Sequence, residues 1–271
     1  MKSLDLLKIE ILKYKDNALV QLLLLFYSLL MMFAIFVFKN IDNVPVLGGN
    51  ESFFQFPTIW EYQAYGGSWL AFIFLGYLGV FLVTSEFDFK TLRQNIITGY
   101  SRKDFFLAKL LVALTVSVFA TLVFYLSSSV IGMLHQDVFS IQELFDKQEY
   151  IILRFFLMTF AYISFGMLCG YLLRKGGLAM FSYFSYILFI EPLFRWWFHY
   201  KVIDKGNTML YYPMNAIEDL TPLPFYKYIS TFTPVKDFNI LLSYTEAGII
   251  STVSVAVFIV LSYLLISKRD L

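Results

Sequence analysis

Apolar residues in this chain gather into long runs, not the short periodic stripes of a soluble core. Six runs approach or exceed about 20 residues, the length at which an α-helix crosses roughly 30 Å of hydrocarbon. They predict spans over 18–38, 67–84, 107–134, 150–173, 178–198 and 247–266. Residues 39–66 carry Pro45, Gly48, Gly49 and Pro57 and read as a loop. Arg174, Lys175, Gly176 and Gly177 read as a tight turn between the fourth and fifth spans. The 200–244 stretch, with Pro213, Pro222, Pro224 and Pro234, reads as a long connection.

Before the first span, residues 1–17 mix charge with leucine. At 100° per residue, Leu4, Leu7, Ile11 and Tyr14 share a face, although Leu6, Ile9 and Leu12 interrupt the polar side. Such a helix either lies in the membrane interface or simply extends the first span. No small-residue cleavage site follows, so a removable signal peptide is not expected. The pattern predicts an all-α integral membrane protein, a single domain over 1–271 with six transmembrane helices.

Composition agrees. The chain is 59% hydrophobic and 15% charged, against about 45–50% and 25% in soluble domains. A net charge of +1 gives no bulk field for nucleic acid. The single Cys169 excludes an internal disulfide and a cysteine-cluster metal site. His135 and His199 lack the neighbouring carboxylates or cysteines that would make them ligands. No Ser-His-Asp set or paired catalytic carboxylates occur, so neither a catalytic centre nor a bound metal is expected. The aromatic side chains, 31 Phe, 19 Tyr and 4 Trp, either line a path for a greasy substrate or pack against lipid and core.

Charge distribution sets an orientation. The N-terminal segment, residues 85–109, the 174–176 turn and the C-terminus together hold thirteen Lys and Arg against seven Asp and Glu. The other segments hold the remaining eight basic and thirteen acidic side chains. The positive-inside rule then places both termini in the cytoplasm and the 200–244 connection outside. Tyr62, Tyr65, Trp69, Trp196, Trp197 and Tyr200 fall at the outer ends, where amphipathic rings prefer to sit.

The segment 85–105 is the most informative. Ser85 is placed to cap a short helix over 86–98, with Asp88 three positions on. Gly99 can adopt positive φ and stop that helix, and Ser101 can cap the third span, with Asp104 three positions on. Glu86 then lies near the positive end of the short helix's dipole. The physics leaves two readings: an amphipathic linker at the interface, or a helix that passes force from a cytoplasmic partner.

This segment resembles the signature region of ABC-2 type permeases. There, an acidic residue after the second span is followed by Thr-x-Arg, a Gly, a Ser/Thr-Arg pair and a Lys opening the third span. The corresponding residues are Glu86, Thr91, Arg93, Gly99, Ser101, Arg102 and Lys109. Relatives often carry Gly just before the Thr; here it is Lys90. The resemblance implies a half-transporter. Residues 1–17 would be the connecting (elbow) helix and 85–105 the coupling segment. Glu86, Thr91, Arg93, Gly99, Ser101 and Arg102 would dock an ABC ATPase, with the Arg174–Gly177 turn a second docking element. Two ATPase copies, carrying ATP and Mg, would drive a dimer with a second permease chain in the lipids of the plasma or inner membrane. This chain has no G-x-x-x-x-G-K-[ST] phosphate loop, so hydrolysis would belong to the partner. The expected activity is export of an amphipathic or hydrophobic substrate.

Glu191 and Arg195 stand four apart in the fifth span, with Pro192 between them. On one helical face they can pair, either as a gate or substrate contact near the outer leaflet or as a structural pair. Pro192 is a candidate helix break, and the resemblance implies short outer helices between the last two spans. A secondary transporter would show inverted repeats and broken helices, and a membrane enzyme or assembly factor would need convergent polar groups within the spans. Neither pattern is visible.

Overall fold

A computed structural model describes residues 3–38, 53–97, 99, 101–135, 148–203, 207–224 and 241–268. Every regular element among them is helical, and six helices are long and apolar enough to cross a membrane. The N-terminal helix Ser3–Tyr14 precedes the first span, Ala18–Phe36. The second span is Thr58–Asp88, followed by a surface helix Thr91–Ile97 and the third span Arg102–Leu134. The fourth and fifth are Tyr150–Leu173 and Gly176–Ile203, and the sixth is Tyr244–Lys268. A short helix Pro213–Glu218 stands between the last two. Much of the 39–66 and 200–244 connections, and the chain end after Lys268, lie outside the described residues.

The second and fourth spans form the centre, with 67% of their most apolar stretch buried. The first and fifth are 22% buried and expose Leu25, Phe26, Met32, Phe181, Phe189 and Leu193, side chains suited to hydrocarbon. Glycines make the central seam possible. A Cβ on Gly79 would stand 2.3 Å from the Ile163 carbonyl oxygen, and one on Gly166 would stand 2.2 Å from that of Gly76. Backbone touches backbone here, the close approach that small residues permit between membrane helices.

Several sequence expectations shift. The second span starts nine residues earlier than Gly67, at Thr58. Only Glu61 carries charge in this extra length, and Trp60, Tyr62 and Gln63 are buried in the bundle. Tyr62 packs edge-on against Phe53, 4.7 Å between ring centres, and is no interfacial ring. Ser85 caps nothing, because the second span runs through it to Asp88. Pro192 does not break the fifth span. Wider π-helical turns, Tyr186–Ile190 and Phe194–Ile203, flank the α-helical turn that holds it, and these looser turns absorb the missing donor. The residue that turns the chain between the fourth and fifth spans is Arg174, at φ +55°; Gly176 and Gly177 already belong to the next helix. Asn17 caps the first span, its Oδ1 accepting from the amides of Leu19 and Val20 at 3.1 Å.

Candidate functional site

Five elements meet at the end of the bundle where the third span begins. The N-terminal helix packs on that span through Leu6, Glu10 and Tyr14, which recur every four residues along one face. This is not the Leu4–Leu7–Ile11–Tyr14 stripe: Leu4 is 79% exposed, and Ile11 is exposed too. Glu10 is buried in preference to Leu4 and Ile11 because a cation lies opposite it. Lys109 sits two turns into the third span, about 10 Å along its axis, with no exposed surface.

Lys109 uses all three of its donors. Its Nζ is 2.6 Å from Glu10 Oε2 and 2.7 Å from the Tyr14 hydroxyl, and it pairs with Glu86 Oε1. Lys13 also pairs with Glu86 Oε1, and the Thr91 hydroxyl donates to Glu86 Oε2. Tyr14 donates in turn to the Leu82 carbonyl at 3.1 Å. Burial pushes the Tyr14 phenol up to about 12, although Lys109 opposes the shift, so it stays neutral and donates. Two lysines thus meet two glutamates, and the buried charge balances.

Glu86 is therefore not at the start of a coupling helix. It lies in the last turn of the second span, where the helix dipole is unfavourable to a carboxylate, and Lys13 and Lys109 offset that cost. Both of its oxygens are occupied inside the protein. Thr91 opens the surface helix and is tied to the same carboxylate. Lys90, between the two helices, has φ +57°. Glycine would adopt this left-handed region without penalty.

The remaining signature residues divide. Gly99 has φ +105°, which stops the surface helix. Ser101 caps the third span by accepting from the Asp104 amide at 3.0 Å, and its hydroxyl donates to Asp104 Oδ2 at 2.7 Å. Arg102 reaches across to the sixth span, donating to the carbonyls of Ile266 and Ser267 at 3.1 and 3.0 Å. Arg93 lies on the surface helix Thr91–Ile97, but its side chain lies outside the described residues. The Arg174 turn sits close by, its guanidinium 5.1 Å from the Phe87 ring centre.

At the opposite end, Glu191 and Arg195 are both buried but do not form an ion pair. Glu191 Oε1 accepts from the Asn215 amide at 2.9 Å, in the first turn of helix Pro213–Glu218. Those unsatisfied amides compete for the carboxylate and win, so Glu191 anchors the short helix to the fifth span. His199 is engaged by the hydroxyls of Tyr212 and Thr208, at 3.1 and 2.9 Å. Sequence reasoning missed Lys13 and Lys109 as partners of Glu86 and Glu10 as a partner of Lys109, and it missed Glu218 and Asp219 beside Arg195. A charge recurring at four-residue spacing within an apolar helical face, as Glu10 does between Leu6 and Tyr14, was the available signal.

No curated protein shows significant similarity to this chain. The family model described as "ABC-2 family transporter protein" matches residues 6–190. The matched stretch runs from the N-terminal helix to the fifth span and takes in the whole buried ion cluster. It covers well over half of the sequence, and the chain belongs to the ABC-2 family of transporter membrane proteins.

Proposed function

We propose that this chain is half of the translocation pathway of an ABC exporter. Family membership supports a permease subunit that works with an ABC ATPase. Beyond that, we read the assembly as two permease chains and two ATPase chains, with ATP and Mg held by the ATPases. Both termini then face the cytoplasm, and the cargo is amphipathic or hydrophobic.

One observation carries this reading. The cluster of Glu10, Lys13, Glu86, Thr91 and Lys109 ties the surface helix Thr91–Ile97, the N-terminal helix and two spans into one corner. A push on the surface helix reaches the second span through Thr91–Glu86 and the third through Glu86–Lys109. In this reading Arg93 offers its planar, permanently charged fork to a carboxylate of the ATPase. Arg102 keeps the sixth span in step with the third. The Arg174 turn, beside Phe87, supplies the second contact.

The test is assembly. Purified alone, the chain should hydrolyse no ATP above a mock preparation. Copurified with its ATPase, it should give a two-plus-two complex by native mass spectrometry. A monomer that hydrolyses ATP or transports unaided would refute the proposal.

A further inference from the structure

A cavity of about 220 Å³ opens at the end of the bundle away from the ion cluster, among the second, fourth and fifth spans and helix Pro213–Glu218. Its walls include Tyr65, Trp69, Tyr162, Glu218, Asp219 and Thr221. We propose that this cavity binds a small organic cation, a protonated amine carried on an aromatic or compact apolar body. The proposal deepens the transporter reading by naming a chemical class of ligand, but the site itself stands on its own geometry.

Four features point there. First, among the described residues the carboxylates of Glu191, Glu218 and Asp219 lie near the guanidinium of Arg195, while that of Arg154 is taken up by the Leu220 carbonyl at 2.9 Å. The Glu218 carboxylate accepts no hydrogen bond among the described residues, and the residue is exposed at the cavity. Asp219 is fixed in place, its Oδ2 accepting from the Leu242 amide and from Asn215 Nδ2 at 3.0 Å. Second, the Thr221 hydroxyl has no partner, although Thr221 is only 2% exposed. A buried hydroxyl with nothing to bond is destabilising, and a ligand donor or acceptor in the cavity would satisfy it. Third, the walls hold Tyr65, Trp69 and Tyr162, whose faces attract cations. Fourth, the π-helical stretches Ala71–Leu75 and Tyr186–Ile190 both enter the lining, the first through Phe72 and the second through Ile187 and Leu188. Such local widening recurs at functional sites.

The size limits the ligand. Drug-sized pockets run about 300–1,000 Å³, so this cavity admits an ammonium head and one ring. Protonation sets a pH dependence. Burial raises the Asp219 carboxyl to about 6, against hydrogen bonds from Leu242 and Asn215 and the charge of Arg195. Burial raises Glu218 too; Arg195 holds it down, and Glu191 and Asp219 add to the rise. The other titratable groups of the wall are Tyr65 and Tyr162. A cation binds the ionised carboxylates, so affinity rises from pH 5 to pH 8.

The experiment is equilibrium dialysis of radiolabelled 2-phenylethylammonium against the purified full chain in lipid nanodiscs, with 2-phenylethanol as the uncharged control. We expect one saturable site per chain for the cation and none for the alcohol. Glu218→Gln should weaken binding about tenfold, the loss of one charge-assisted contact, with an unchanged melting temperature. Thr221→Val should weaken it severalfold and decides the matter should Glu218→Gln fold poorly. Equal binding of the alcohol, absence of saturable binding, or full affinity in both variants would overturn the proposal. Binding here requires no ATPase, so a negative result leaves the permease reading standing, and failure to assemble with an ATPase leaves this site standing.

Discussion

Both ends of this bundle bury charge, and they do so in opposite ways. Near the start of the third span, two glutamates meet two lysines, every donor of Lys109 is used, and the cluster is closed. At the far end, the buried Glu191 and Asp219 and the exposed Glu218 lie near Arg195, and a cavity opens beside Glu218 and Asp219. A closed, balanced cluster is rigid and serves as a joint. An open cluster with surplus carboxylate has something left to bind. The difference follows from saturation of hydrogen bonds rather than from the number of charges, because the desolvation cost of a buried ion is offset only when partners surround it.

The sharpest way to break the comparison is to unbalance the closed end. Lys109→Met leaves Glu10 and Glu86 buried with only Lys13 between them. A buried pair broken from one side costs about 3–5 kcal/mol, so folded yield by fluorescence-detected size exclusion should collapse. Adding Glu86→Gln should restore part of it, because Glu10 and Lys13 then balance. Glu218→Gln at the open end should leave yield unchanged. Equal losses from Lys109→Met and Glu218→Gln would erase the distinction between the two ends.

The next effect concerns the seam that joins them. Gly166→Val forces side-chain atoms into the Gly76 carbonyl, 2.2 Å from where its Cβ would sit. Overpacking of this kind costs about 1–3 kcal/mol, and thermal melting in detergent should fall accordingly. An unchanged melting temperature would mean the second and fourth spans are not in backbone contact.

Glu191→Ala comes third. It removes the acceptor of the Asn215 amide, a capping loss of about 1 kcal/mol. Hydrogen exchange in residues 213–219 should quicken while the ion-cluster end is unaffected. Exchange unchanged at both ends would show that Glu191 does not anchor the short helix. Smallest is Lys90→Gly, which relieves a left-handed backbone. Its gain of about 1 kcal/mol is partly offset by the flexibility of glycine in the unfolded chain, so the melting temperature should rise slightly.

Much of this fold was legible from hydropathy. Six apolar runs gave six spans, and Ser101 with Asp104 marked the third helix start, because capping is local chemistry. The second span escaped because Trp60, Tyr62 and Gln63 look interfacial in sequence but are buried by neighbouring helices. Glu86 was noticed and misplaced. Its neighbours suggested the start of a short helix, while its partners Lys13 and Lys109 lie on other elements, far away in sequence. Contacts of that range leave no periodic trace. The pairing of Glu191 with Arg195 failed for a related reason: spacing along one helix shows which partners are near, but not that free amides of another helix compete.

The central claim is that the ion-cluster end faces the ATPase. It is tested by attaching a benzophenone to cysteine in Gln94→Cys and, separately, Tyr211→Cys, each in a Cys169→Ser background. Gln94 is exposed on the surface helix, and Tyr211 is exposed at the opposite end. Illumination of the complex with its ATPase should give a crosslink to the ATPase from Gln94→Cys and none from Tyr211→Cys. A crosslink to the ATPase from Tyr211→Cys, or none from Gln94→Cys in an intact complex, would contradict it.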